Sequence, residues 1–186
     1  MRLVAAAAVA SVVFVVVSEA RAQTKNWRPT GPQLDHPVGS SADEVRKRHS
    51  CTTRMTRMMI HGTQVSYSRP DGAIFLWYPG NSVVLQGQWE ARPGSICFRY
   101  GTNTYNPATK VRGGAWACML ARDLDRDTAE TVRGDLFGLA RRTAVPFVLP
   151  GVKTTFAELQ EFAKLLAPDA KPPEKADDGC PVPHIM

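Results

Sequence analysis

RPDGAIFLWYPGNSVVLQGQWEARPGSICFRY, residues 69–100, decides the fold. Arg69-Pro70-Asp71-Gly72 is a turn, with proline preset for the first corner and glycine free to take positive φ. Ala73–Tyr78 then runs apolar without a break, and Pro79-Gly80-Asn81 turns the chain again. Ser82–Ala91 alternates, with Val83, Leu85, Gly87, Trp89 and Ala91 on one face. After a third turn at Arg92-Pro93-Gly94, Ser95–Tyr100 sets Ile96, Phe98 and Tyr100 opposite Cys97 and Arg99. Short runs of period two between compact turns specify an antiparallel meander.

Working outward, Thr63–Ser68 alternates weakly and reads as the preceding strand. The polar loop Gly101–Gly113 leads to a fifth strand over Gly114–Leu120. Ala73–Tyr78 carries apolar residues on both faces, whereas an open sheet with one wet face alternates cleanly. Either the sheet curls into a barrel-like cup, or a helix and the C-terminal segment lie across it. The expected fold is therefore mainly β (α+β): a curled, barrel-like antiparallel meander of five strands, with one helix before it and one after.

Both helices have start signals. Ser41 followed by Glu44 is a capping box, and opens a helix from Ala42. That helix is expected to end near Ser50 or to run through Met55, Met58 and Met59 to Ile60, with Gly62 as its stop. Thr155 with Glu158 opens a second over Phe156–Leu166, whose apolar stripe is Phe156, Leu159, Phe162, Ala163 and Leu166. Arg122–Arg133 reads as a loop or short helix, and Gly134–Leu149 as an extended segment along the core.

The ends differ from the middle. Arg2, an apolar run over Leu3–Val17 and the small residues Ala20 and Ala22 read as an export signal over residues 1–22. The run is shorter than the roughly 20 residues that span a bilayer, so no transmembrane segment is expected once the signal is removed. Residues 23–40 are expected to be a flexible lead-in, 41–166 one disulfide-bearing domain, and 167–186 a tail rich in proline and charge. The chain carries 23 basic and 17 acidic side chains, formal net charge +6, spread without a block of like charge. Export argues against nucleic acid as the partner of that charge.

In an oxidising compartment the four cysteines are structural. Cys97 and Cys118 sit on adjacent predicted strands, on the face shared by Arg99 and Trp116, and are expected to pair. Cys51 and Cys180 then pair by elimination. No Cys-x2-4-Cys knuckle suggests zinc. His49, Met55, Met58, Met59 and His61 form a soft-ligand cluster that could take copper if they share a helix face, although methionines at that spacing also serve as core filling. No Gly-x-Ser-x-Gly elbow is present, and neither Glu90 nor Asp71 has a second carboxylate placed for glycoside chemistry. No catalytic residue and no cofactor is expected. Trp77, Trp89, Arg99 and Trp116 are the candidate ligand-binding residues on a curled sheet, the competing role of the aromatics being core.

The stretch Gly72…Gly87-Gln88-Trp89…Cys97-Phe98-Arg99-Tyr100…Trp116-x-Cys118 resembles small exported proteobacterial proteins of unknown function. Their pattern is Asp-Gly, Gly-x-Trp, Cys-Phe and Trp-x-Cys, and the resemblance covers residues 62–120. It implies a disulfide-bearing, lipocalin-like β-meander in the periplasm, with no established activity and no catalytic residues. The long Thr102–Gly113 loop, the methionine-rich segment and the Cys180 tail depart from the pattern.

The expected function is that of a periplasmic or secreted, non-enzymatic protein that binds an envelope partner or small ligand. A copper-binding protein is the alternative. A small hydrolase, which would need a histidine and a carboxylate within hydrogen-bond reach in a cleft, is the second.

Overall fold

The computed structural model describes residues 39–58, 61–107, 109–166 and 179–183. The export signal, most of the lead-in, Met59 and most of the tail lie outside the described residues.

Helix α1 (Ala42–His49) leads into strands β1 (Thr52–Met58), β2 (Gly62–Ser68), β3 (Ala73–Trp77), β4 (Leu85–Arg92) and β5 (Ser95–Tyr100). A two-residue pair, β6 (Tyr105–Asn106) with β7 (Val111–Arg112), occupies the loop before β8 (Ala117–Leu120). Helix α2 (Ala121–Asp127), strand β9 (Thr128–Arg133) and helix α3 (Phe156–Leu166) complete the order. Among the described residues the main sheet has seven strands, all paired antiparallel, in the order β8-β5-β4-β3-β2-β1-β9. It curls into a half-barrel, and α2 links β8 on one edge to β9 on the other.

Two elements correct the five-strand expectation. The methionine-rich segment is a strand, not the continuation of α1. The helix stops at His49, and Cys51 takes a left-handed φ of 54° that breaks it. Thr52, Thr53 and Thr56 are β-branched and favour the extended chain beyond. The second added strand is β9, where Thr128, Thr131 and Val132 extend the chain that α2 delivers. It joins β1 on the far edge, with a register shift at Met55/Thr56. The helices are also placed differently: α1 precedes the sheet, α3 follows it, and α2 lies between its last two strands.

Other expectations match in outline. Ser41 Oγ accepts from Glu44 N at 3.2 Å and the Glu44 carboxylate accepts from Ser41 N at 2.7 Å, the reciprocal cap of α1. Thr155 and Glu158 cap α3 in the same way. Residues 134–149 run along the core, contributing buried Leu136, Phe137, Leu139, Val145 and Leu149. Two strands of the meander begin later than expected, at Leu85 and Ala117.

β3 is apolar on both faces because both expected coverings are present. On the convex face, Phe75 and Trp77 join Met55, Val65 and Tyr67 under the 134–149 segment and α3. On the concave face, Ile74 packs with Trp89, Ile96 and Ala121, and Val45 of α1 closes one end. Two disulfides brace the sheet. Cys97–Cys118 joins β5 to β8, and Cys51–Cys180 ties residues 179–183 to the foot of β1. Gly134 permits that second approach, since a Cβ there would stand 2.2 Å from the Pro181 carbonyl oxygen.

Candidate functional site

The concave side of the half-barrel encloses a cavity of about 440 Å³. Strand register determines its walls. Arg54 pairs with Ser66, Thr56 with Gln64 and Thr52 with Ser68, so β1 and β2 turn one polar stripe inward. Leu76 pairs with Leu85 and Ile96 with Met119, so β3, β4, β5 and β8 turn an apolar stripe inward from the other side, joined by Phe98. The cavity is thus split lengthwise, with hydroxyl and amide groups facing hydrocarbon.

Its two ends differ. At the closed end, His49 of α1 and Leu124 of α2 fill the space beside Arg54. The other end is bordered by three connections: His61 between β1 and β2, Tyr78 to Asn81 between β3 and β4, and Thr104 to Pro107 of the β6–β7 hairpin. His61 Nδ1 lies 3.0 Å from the Tyr78 hydroxyl. Partial burial holds the His61 imidazole below its ordinary value and raises the Tyr78 phenol. Burial raises the Tyr100 phenol much further, so it stays neutral.

Arg54 sets the electrostatics. Its Nη2 donates to His49 Nδ1 at 2.5 Å, and since arginine only donates, that nitrogen must be unprotonated. Nη1 stands 3.9 Å from Asp125 Oδ1 and has no hydrogen-bond partner. Asp125 Oδ2 accepts from Arg48 Nη1 at 3.2 Å. Burial lowers the Arg54 pKa to about 10, against the pull of Asp125 and with a smaller contribution from Arg48, so it remains charged at neutral pH. Among the described residues lining the cavity there is no Asp, Glu or Lys.

The four residues expected to bind ligand lie elsewhere. Trp77 is fully buried on the convex face, donating to the Phe147 carbonyl at 3.0 Å and packing edge-on to Phe137 and Phe147. Trp89 faces inward but lies beyond the cavity, with Arg46 5.4 Å from its ring and its indole donating to the Arg69 carbonyl. Arg99 stacks on Trp116 at 4.8 Å, on the face of β5 that carries Cys97. None of the four lines the cavity.

The copper set is also dispersed. Period two sends Met55 into the convex core while Met58 faces the cavity, His49 is engaged with Arg54, and His61 lies at the opposite end of the cavity. Met59 lies outside the described residues. Among the described residues no group of three His, Cys, Asp or Glu is placed to hold a metal ion.

The polar stripe and the hairpin were the features that sequence reasoning missed. Their signal was present: Gln64, Ser66 and Ser68 alternate with Thr63, Val65 and Tyr67, but polar alternation ordinarily marks a solvent face.

No family model, curated protein or solved structure matches the chain. Among the described residues no helix is long and apolar enough to cross a membrane.

Proposed function

We propose that this protein is a non-enzymatic binding protein of the cell envelope, periplasmic or secreted, that holds one small amphipathic molecule in the cup of its sheet. The observation that carries this reading is the lengthwise division of the 440 Å³ cavity into a hydroxyl-lined and a hydrocarbon wall. That volume falls in the range of small-molecule sites, which combine an apolar lining with a few placed polar groups. An ordinary core would not keep Arg54, Thr56 and Ser68 buried beside open space. The lipocalin-like resemblance and the export signal support the reading, and so do two disulfides, which suit an oxidising compartment.

The test is titration with the neutral fluorophore N-phenyl-1-naphthylamine. Saturable enhancement at one probe per chain is expected. Leu76→Trp, which places an indole in the apolar wall, should weaken it about tenfold or more without unfolding the sheet. An unresponsive wild-type protein, or equal binding by a folded Leu76→Trp variant, would overturn the proposal.

A further inference from the structure

We infer that the molecule held in the cup is a facial amphiphile, an elongated body that carries hydroxyl or amide groups along one long edge and hydrocarbon along the other. This rests on the small-ligand reading above and specifies the ligand class, against a head-and-tail amphiphile with a single polar end.

Three observations carry it. First, the polar wall is a row, not a point. Thr56 of β1 pairs with Gln64 of β2, and Ser66 and Ser68 follow Gln64 at every second residue. Their strand neighbours Met55, Val65 and Tyr67 lie in the convex core, so all four side chains turn into the cup. Alternate residues of a strand stand about 7 Å apart, so the row on β2 runs for about 14 Å.

Second, the row is open to a ligand. Among the described residues, the side chains of Thr56, Gln64, Ser66 and Ser68 have no hydrogen-bond partner, and none of their polar atoms is sealed from water. Arg54 stands in the same stripe but turns its guanidinium to His49 and Asp125, with Nη1 3.9 Å from Asp125 Oδ1. What the row presents along its length is therefore hydroxyl and amide.

Third, the opposite wall is hydrocarbon, built from Ile74, Leu76, Ile96, Phe98 and Met119. A head-and-tail molecule would satisfy one position of the row and strip water from the others, leaving hydroxyls against a chain. A molecule with polar groups repeated along one edge meets each position in turn and keeps its apolar edge on the hydrocarbon. A rigid fused-ring body does so with the least loss of conformational freedom.

The test is displacement of N-phenyl-1-naphthylamine from the wild-type protein by three uncharged competitors, each below its aggregation limit. Methyl cholate carries its hydroxyls on one face of a fused-ring body, and methyl cholanate is the same body without them. Monolaurin is a head-and-tail amphiphile with its hydroxyls at one end. Methyl cholate should displace the probe at about a tenth or less of the concentration that either of the others needs, although methyl cholanate is the more apolar. The variant Thr56→Val/Ser66→Ala takes hydroxyls out of the row, and valine keeps the β-branched shape of threonine. With each competitor referred to the variant's own probe affinity, the preference for methyl cholate should fall about fivefold or more.

An advantage of methyl cholate over methyl cholanate or monolaurin smaller than about threefold would overturn the inference while the cup remained a small-ligand site. So would no displacement by methyl cholate, or an undiminished preference in the folded variant. If that variant does not fold, Gln64→Leu, at a half-buried position, takes its place with the same expectation. If the probe does not bind the wild type, the small-ligand reading falls and the inference with it.

Discussion

Cys97 and Cys118 stand directly opposite each other in the β5–β8 ladder, with Cα atoms 4.0 Å apart, and the bond between them pins an edge strand of only four residues. Cys97 is fully buried while Cys118 is exposed, so the bridge anchors the surface strand to the interior. It also holds β8 where Met119 completes the apolar wall of the cavity.

The two disulfides should differ in what they contribute. Breaking Cys97–Cys118 with Cys97→Ala should cost about 2 to 5 kcal/mol under oxidising conditions. The Cys51–Cys180 bond closes a separation of 129 residues against 21. By loop-closure entropy, its removal should cost about 1.5 kcal/mol more. Urea denaturation of the two Cys→Ala pair variants checks both. Wild-type melting of the Cys97→Ala variant would show that the first bridge contributes nothing.

Met55 and Met58 should respond unequally to truncation. Met55 is fully buried in the convex core, and Met58 borders the cavity. Met55→Ala should lose about 2 to 5 kcal/mol, as for other buried methionines. Met58→Ala should lose less than about 1 kcal/mol, because its neighbour is already open space. Similar losses at both positions in chemical denaturation would contradict the alternation of β1.

Gly87 should not tolerate a side chain. A Cβ there would lie 2.7 Å from the Arg99 carbonyl oxygen and 2.7 Å from the Tyr100 ring, which lies over the glycine. Gly87→Val should destabilise by about 1 to 3 kcal/mol through displacement of that ring. Gln86→Val, on the exposed opposite face, should stay within about 0.5 kcal/mol. Thermal melts of the pair give the comparison.

Acid should weaken the protein through His61. Desolvation holds its imidazole below the ordinary 6.5, so the unfolded chain takes up this proton first. The contribution is fully present above pH 6.5 and is lost as the pH falls through the lower folded value. His61→Gln should therefore show a shallower fall in stability between about pH 7 and pH 5 than the wild type. Parallel slopes in denaturant titrations across that range would remove His61 from the pH response.

Several parts of this architecture are legible locally. The turns at Pro70, Asn81 and Pro93 divide the strands, because proline and glycine act on their own φ and need no distant partner. Ser41 and Thr155 start their helices for the same reason, since a cap is satisfied three residues away. The Cys97–Cys118 pair is readable because a meander of known turns carries its register forward from strand to strand. The double-faced apolar pattern of residues 73–78 announces that both faces are covered.

What the chain does with Met55, Arg54 and Ser66 was decided only by tertiary structure. Met55, Met58 and Met59 fit a helical stripe in sequence, and the strand wins because β1 gains ladder partners on both edges, from β2 and from β9. Period two then states which residues share a face, but not which face is inside. A polar stripe of Thr56, Gln64 and Ser66 on a flat sheet would be wet surface. Curvature of the whole sheet, closed at one end by α1 and α2, turns it inward and buries Arg54 with it. Curl and closure arise from contacts between residues far apart in the chain, so no local pattern could announce the cup.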